Sequence, residues 1–305
     1  MHFNHSSGAG VLTRARSVWR DYLSLTKPRI VALLLLTTLT TMLVAGETFP
    51  PVDILIWTLL AGALAAGGAG ALNCYFERDL DALMLRTRQR PLPAQRLIPK
   101  QALYFGLLLS IFSVFLLWST VNPLTAWLAL GGIAYYILVY TLWLKRRTPH
   151  NIVIGGGAGA IAPLVGWAAV TNSLEPMAFL LFAIIFYWTP PHFWALALKI
   201  KGDYALAQVP MFPLVYGDQA TRRHILSYSI PMVILTLLPI VLEEFDLFYG
   251  VMALSLGGTF IYYAVQLCRR RLIRDAERLF HYSLIYLALL FLAMVIDRIP
   301  VLLLF

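Results

Sequence analysis

Nine apolar segments, each long enough to cross a bilayer, limit what this chain can fold into. An α-helix needs about 20 apolar residues to span a membrane. Across 305 residues, 60% are hydrophobic and only 13% are charged, which leaves no soluble domain of useful size. We predict an all-α polytopic membrane protein with nine transmembrane helices. They cover residues 28–46, 52–73, 101–120, 123–143, 151–171, 177–198, 223–242, 248–268 and 280–297.

The basic residues of the loops predict how the helices are oriented in the membrane. With nine spans, nearly every Lys and Arg falls on one side and only Arg298 falls on the other, where the loops carry Glu or Asp. The positive-inside rule therefore predicts a cytoplasmic N-terminus. The net charge of +9 follows from this topology, so we expect no nucleic-acid partner. We divide the chain into a cytoplasmic tail (1–22), a single transmembrane domain (23–298) and a short C-terminal tail (299–305).

A polar row follows the second apolar segment. At ~100° per residue, Asn73, Glu77 and Asp81 share one helical face, and Asp79 points away from it. An amide and two carboxylates offer the oxygen ligands that Mg²⁺ prefers. A cluster of arginines beside such a metal is suited to a diphosphate; it comprises Arg78, Arg86, Arg88 and Arg90. The alternative is a helix end whose charges simply enter water.

A second polar end follows the sixth segment. Helices four apart share an orientation, which predicts two parallel four-helix halves plus a final helix, with the loops 74–100 and 199–221 meeting at one face. Asp203 would then complete the metal site of Asn73, Glu77 and Asp81, while Lys199 and Lys201 would face phosphate oxygens. The prolines of the second loop fit a stiff lid. The alternative is that Asp203 is a surface turn residue beside Gly202.

The end of the fourth segment combines aromatic, hydroxyl and basic groups. Tyr140 and Thr141 lie just before Lys145 and Arg146, and we assign all four to diphosphate binding. The ring faces of Tyr136 and Tyr140 would also shield a carbocation. The alternative is an aromatic belt at the membrane interface, capped by charges that set topology.

Two further stretches contain unusual backbone residues. The glycine-rich stretch 151–160 either packs closely against other helices or leaves space for a planar ligand. Pro190 and Pro191 predict a break in the sixth helix. His192 beside that break is a candidate haem ligand, and the alternative is a hydrogen bond to a neighbouring helix.

The pattern Asn73-x3-Glu77-x3-Asp81, the run 86–92 and the Asp203 loop resemble the intramembrane aromatic prenyltransferase superfamily. Four longer stretches resemble its protohaem IX farnesyltransferase branch: 25–29, 144–156, 163–171 and 191–194. The resemblance covers about residues 23–290. Two departures affect the metal site: Glu77 stands where the superfamily usually has Asp, and the second loop has Lys199 and Asp203 where many members have two aspartates. The number of Mg²⁺ ions is therefore open.

The resemblance implies transfer of farnesyl from farnesyl diphosphate to a vinyl group of haem B, giving haem O for terminal oxidases, with Mg²⁺ as cofactor. The expected partners are haem A synthase or terminal-oxidase assembly. Short loops and the lack of a transit-like extension predict a bacterial inner membrane. One alternative is a quinone-pathway aromatic polyprenyltransferase, which would share the diphosphate site. Another is a haem-binding assembly factor without catalysis, which would not need the acidic row.

Overall fold

The computed structural model describes residues 18–46 and 48–302. In that part of the chain, nine helices are long and apolar enough to cross a membrane, as predicted. We number them α1 to α9: Pro28–Ala45, Val52–Phe76, Pro99–Thr120, Pro123–Arg146, Asn151–Thr171, Pro176–Leu206, Gly217–Val241, Leu247–Arg270 and Ile273–Leu302. Most of the predicted N-terminal tail, residues 1–17, and the last three residues of the C-terminal tail lie outside the described residues.

Several helices extend beyond the apolar segments that predicted them. Helix α2 continues three residues further, to Phe76, and α9 begins seven residues earlier, at Ile273. Helix α6 continues to Leu206, so the segment 199–206 is helical and the prediction that it is a loop was wrong. Apolar composition marks the part of a helix inside lipid, but charged side chains can extend the helix when they find partners.

The predicted break at Pro190 and Pro191 was also wrong. Helix α6 runs through both prolines, and its irregular residue is Ile200, with φ −106° and ψ 19°. A proline fixes φ near the helical value, so its main cost is the lost N–H donor and a local steric clash. The large side chains of Trp188 and Trp194 are buried on either side of the pair. Packing of this kind holds the helix together where the backbone bonds are missing.

The nine helices form a closed ring of neighbours. Each helix packs against the next one along the chain, and α9 packs back onto α1. Contacts between the first four helices recur between the next four: α2 with α3 corresponds to α6 with α7, and α3 with α4 corresponds to α7 with α8. This matches the predicted two four-helix halves with a final helix. Additional contacts join α1 to α5 and α6 to α9.

Glycines allow α2 and α3 to approach closely. A Cβ at Gly68 would lie 2.9 Å from the Gly106 carbonyl oxygen, and a Cβ at Gly106 would lie 2.8 Å from the Leu72 side chain. No side chain fits there, so the two backbones are nearly in contact. This tight pair fixes the end of α2, where the polar row begins.

Helix α4 changes its winding towards its end. The α-helical part Pro123–Ala134 is followed by a π-helical part, Tyr135–Trp143, and by one 3₁₀ turn, Leu144–Arg146. A π-helix has bonds from residue i to residue i+5 and is rare, and its short segments often occur at functional sites. The widened turns carry the tyrosines and the threonine that the sequence analysis singled out.

Two polar segments, residues 74–100 and 199–221, lie at the same end of the ring. The first contains a short helix, Arg78–Leu83, and the second contains another, Phe212–Val215. Leu80 and Met84 from the first pack with Tyr204, Val209 and Met211 from the second in one buried cluster. The prediction that these two segments meet is therefore confirmed.

Candidate active site

The polar row is continuous and buried. The Glu77 N–H donates to the Asn73 carbonyl at 2.9 Å, and the Asp81 N–H donates to the Glu77 carbonyl at 2.8 Å. Helical spacing thus persists although α2 ends at Phe76, and the three residues are only 1%, 3% and 3% exposed. The predicted common face is confirmed. The Asp79 side chain is 59% exposed and points elsewhere, as expected.

Two lysines contact this row from different helices. Lys145, at the end of α4, donates to Glu77 Oε2 at 2.6 Å, and both side chains are buried. Lys27, directly before α1, donates to the Asn73 side-chain oxygen and lies 3.5 Å from the Tyr136 hydroxyl. Burial alone would raise the pKa of Glu77, but the ammonium groups of Lys145 and Lys27 hold it below its ordinary value.

Arginines bind the other two carboxylates of the first segment. Arg90 Nη1 donates to both oxygens of Asp81, at 2.9 and 2.8 Å. Arg146 forms a two-pronged pair with Asp79, at 2.7 Å for each bond, which lowers the pKa of that carboxyl. The Arg90 side chain remains 30% exposed. Its guanidinium therefore has one side on Asp81 and another open for a further anion.

Asp203 joins the second segment to the first through the backbone. Its two carboxylate oxygens accept from the Leu85 N–H at 3.1 Å and the Arg86 N–H at 3.2 Å. The structure therefore brings Asp203 to the first polar segment, where it fixes the turn that follows the acidic row. In this arrangement, its oxygens are directed at amides.

Three other predicted phosphate-binding residues bond to groups outside the row, and a fourth is exposed. Lys199 pairs with Glu277 of α9 at 3.0 Å, and Lys201 pairs with Asp218 of α7 at 2.8 Å. Arg78 donates to the Tyr75 carbonyl at 2.7 Å and lies over the Tyr75 ring. Arg86 is exposed.

The two tyrosines of the π-helical part form a stack above the row. The rings of Tyr136 and Tyr140 are 5.6 Å apart and nearly parallel. Lys27 lies 6.0 Å from the Tyr136 ring, and Lys145 lies 5.8 Å from the Tyr140 ring. A Cβ at Gly155 would come within 2.2 Å of the Tyr140 ring, so this glycine makes room for the stack.

His192 lies in the other half of the ring. Its Nδ1 is 2.6 Å from the Ser283 hydroxyl of α9. The imidazole stacks between Trp188 at 4.2 Å and Phe280 at 4.8 Å. The hydrogen bond to a neighbouring helix, which was the alternative for this residue, is therefore present.

An apolar cavity leads away from the polar row. It contains about 960 Å³ of empty space, counted together with its open side, and lies between α1, α2, α4 and α5. Lys27 and Tyr136 line one end, and beyond them the walls are almost entirely small or aliphatic side chains. The wall residues of α2 and α5 are Gly62, Ala65, Ala66, Ala69, Gly70, Ala158, Gly159, Ile161, Ala162 and Val165. The cavity thus has a charged end and a long greasy body.

The glycine-rich start of α5 packs closely against other helices, which was one of its two predicted roles; space for a planar ligand stays a prediction. Gly155, Gly156 and Gly157 pack against Tyr140, Thr189 and Tyr135, where a side chain would collide or crowd. Gly159 lines the cavity, and a Cβ there would meet nothing within 4 Å.

The donor atoms at the row suit Mg²⁺. Its side chains offer only amide and carboxylate oxygens, and Glu77 Oε1 is buried without a partner among the described residues. A hard divalent cation is the natural partner of such an oxygen. No group of three His, Cys, Asp or Glu side chains within the described residues already forms a metal cluster. Asp81 and Asp203 are instead held by Arg90 and by backbone amides.

The whole arrangement can be compared with known proteins. Residues 34–295 match the model of the UbiA prenyltransferase family. This chain belongs to that family. Curated relatives named protoheme IX farnesyltransferase include one from Roseiflexus castenholzii, 51% identical over 92% of this chain, and one from a Synechocystis species, 51% identical over 93%. The chain spans about half (53%) of the Roseiflexus protein but 91% of the Synechocystis one.

Solved UbiA-type structures share the fold. A digeranylgeranylglyceryl phosphate synthase superposes with a TM-score of 0.77 over 92% of this chain and 99% of its own, at 19% identity. A UbiA homolog from Archaeoglobus fulgidus, bound to GPP and Mg²⁺, gives 0.62 over 90% of this chain and 99% of its own, at 17% identity. At these identities, the likeness establishes the architecture.

Sequence reasoning undervalued several parts of this UbiA-family site. Lys27 is not among the predicted site residues, whereas the structure places its ammonium on Asn73. The available signal was its position directly before Pro28, a helix start that faces the same membrane side as the acidic row. The small residues of α2 form a cavity wall, which their run of alanine and glycine could have indicated. No sequence signal marked the π-helical turns.

Proposed function

We propose that this chain transfers the farnesyl group of farnesyl diphosphate to a vinyl group of haem B, giving haem O. The observation that carries the proposal is the cavity that begins at Lys27 and Tyr136, beside Asn73, and continues between four helices with apolar walls. An allylic diphosphate has the same division into a charged head and a greasy tail. The names of the curated relatives supply the farnesyl donor and the haem acceptor.

The first step is departure of the diphosphate. The C1–O bond breaks, and both electrons leave with the diphosphate oxygen. Lys27, Lys145 and Arg90 surround the row and would stabilise the negative charge that develops there. When bound, Mg²⁺ would neutralise further charge on that oxygen. Glu77 is the residue best placed to hold it, with Asn73, Asp81 and Asp203 completing the set if their present partners shift.

The remaining steps use the apolar chamber. The farnesyl cation carries positive charge at C1. The ring faces of Tyr136 and Tyr140, which stack on each other, would stabilise this charge without supplying a nucleophile. The electron pair of the haem vinyl group then forms the new C–C bond to C1. Water adds to the resulting cation next to the haem ring and loses one proton. Apolar walls keep water from capturing the farnesyl cation before the vinyl group does.

The chemistry takes place at the polar end of the ring, which we place at the cytoplasmic face of a bacterial inner membrane. The clustering of basic residues at that end supports this orientation. A cysteine-accessibility experiment on intact cells would check it, with single cysteines at Lys201 and Glu243. Reagent added outside should label position 243 and leave position 201 unlabelled.

The test of the reaction is a defined transfer assay. The purified chain in detergent is supplied with haem B, farnesyl diphosphate and Mg²⁺, and the products are identified by mass spectrometry. Wild type should give farnesylated, hydrated haem, and Asp81→Asn should lose most of that product because Arg90 loses its carboxylate partner. Prenylation of an aromatic acid in place of haem would indicate a quinone-pathway aromatic polyprenyltransferase. The absence of any prenyl transfer would refute the proposal.

A further inference from the structure

The side-chain amide of Asn73 belongs to a buried chain of hydrogen bonds. Asn73 Nδ2 donates to the Thr141 Oγ at 3.0 Å, and the Thr141 hydroxyl donates to the Tyr136 carbonyl at 2.8 Å. On the other side, the Asn73 oxygen accepts from Lys27. Asn73 and Thr141 are both only 1% exposed, so water does not substitute for these partners.

The number of available protons determines which group donates and which accepts in each of these hydrogen bonds. A threonine hydroxyl has one proton, and the Tyr136 carbonyl can only accept it. The Thr141 oxygen must therefore accept from Asn73, and only the NH₂ end of the amide can donate. Lys27 has donors and no acceptor, so it requires the oxygen end. Both neighbours consequently impose the same orientation, with Nδ2 towards α4 and Oδ1 towards Lys27.

The Thr141 hydroxyl bonds back to its own helix within the π-helical part of α4. A threonine inside an ordinary helix bonds back to the carbonyl three or four residues earlier. Here Thr141 bonds back five residues, to Tyr136, within the π-helical part Tyr135–Trp143. The one proton of Thr141 is thereby used on its own helix, and its oxygen remains an acceptor for the Asn73 amide of α2.

We infer that Thr141 is a positioning residue that fixes the amide of Asn73, so that its oxygen faces the diphosphate and its cation. Thr141 acts through Asn73 and does not itself touch the substrate. This inference rests on the proposed function, because it assigns Asn73 to that site.

The experiment measures binding without turnover. A non-reactive thio analogue of farnesyl diphosphate is titrated with Mg²⁺ into the purified chain by calorimetry, for wild type, Thr141→Val and Thr141→Ser. Valine has the shape of threonine without the acceptor, and serine retains the hydroxyl. We expect about tenfold weaker binding for Thr141→Val, because the buried side-chain amide of Asn73 loses one hydrogen-bond partner and can rotate. Thr141→Ser should bind within about twofold of wild type.

A second background separates positioning from direct contact. In Asn73→Ala, the change Thr141→Val should cause no additional loss of affinity, because the group it orients is gone. An additional loss equal to that in wild type would show that Thr141 contacts the diphosphate, and would overturn the inference. Equal affinity of Thr141→Val and wild type would overturn it as well. A wild-type chain that binds no diphosphate analogue would instead refute the proposed function, and with it the role of Asn73.

Thermal unfolding in detergent accompanies these titrations. If Thr141→Val binds weakly only because the protein is damaged, its unfolding midpoint will fall and the valine change will weaken binding in both backgrounds. That result counts against a positioning role. An unchanged midpoint together with loss of affinity in the wild-type background alone supports it.

Discussion

Lys145 and Glu77 form a buried ion pair with 2.6 Å between Nζ and Oε2, which joins the end of α4 to the residue directly after α2. The second carboxylate oxygen of Glu77 has no partner among the described residues. The pair therefore has two functions in our account: it holds the two helices together at the polar end, and it leaves one oxygen for a cation.

Removing one partner of this pair should destabilise the protein strongly. Lys145→Met leaves the Glu77 charge buried and unpaired, and changes of this kind cost about 3–5 kcal/mol. The matched control is Asp79→Asn, which breaks the more exposed pair between Asp79 and Arg146. Such pairs contribute roughly 0–1 kcal/mol. Thermal unfolding in detergent should show a large drop for Lys145→Met and almost none for the control. Equal drops would contradict the assignment.

The same pair predicts a dependence of stability on acid pH. The pKa of Glu77 lies below its ordinary value of 4.5, because the lysines outweigh the effect of burial. A carboxyl with a lowered pKa stabilises the folded state fully above the unfolded pKa, and this contribution is lost as pH falls through the folded pKa. The unfolding midpoint should therefore decrease as pH falls below about 4.5. Glu77→Gln should show a smaller decrease over that interval, and an identical pH profile would refute this origin.

The tyrosine stack should depend on the absence of a side chain at Gly155. A methyl group at this position would lie 2.2 Å from the Tyr140 ring, so Gly155→Ala must displace the ring from Tyr136. We expect farnesyl transfer to fall by about tenfold or more, since a misplaced group near the reacting atoms has effects of this size or larger. Gly131→Ala is the control, because a Cβ there meets nothing within 4 Å. The turnover rates of the two variants should differ clearly.

The fold was largely predictable because lipid imposes strong rules on sequence. Each span has to satisfy its own backbone bonds, so apolar length alone located all nine helices. Helical spacing also predicted that Asn73, Glu77 and Asp81 share one face, and the structure shows that this face is buried. These features depend on local periodicity, which a single sequence displays.

The errors arose where tertiary contacts override local signals. Pro190 and Pro191 normally indicate a break, but buried tryptophans accompany a continuous helix. The phosphate contacts of Lys199 and Lys201 stay a prediction, but the sequence did not show that they pair with Glu277 and Asp218. The pairing of Lys27 with Asn73 joins residues 46 positions apart. None of these partners could be identified from residue type or spacing.

The most direct test of the central claim changes the length of the cavity. Gly159 lines it, and a Cβ there meets nothing within 4 Å, so Gly159→Leu should fill part of the cavity without disturbing the helices. The control is Gly131→Leu, the same change at a glycine that does not line the cavity. Each variant is given equal amounts of geranyl and farnesyl diphosphate with haem B, and the ratio of products is measured by mass spectrometry.

If the cavity holds the prenyl chain, Gly159→Leu will shift the product ratio from farnesyl towards the shorter geranyl group by about tenfold or more, the effect of a few methylenes that no longer fit. Gly131→Leu will keep the wild-type ratio. An unchanged ratio in Gly159→Leu, with normal total transfer, would show that the prenyl chain lies elsewhere and would contradict the account.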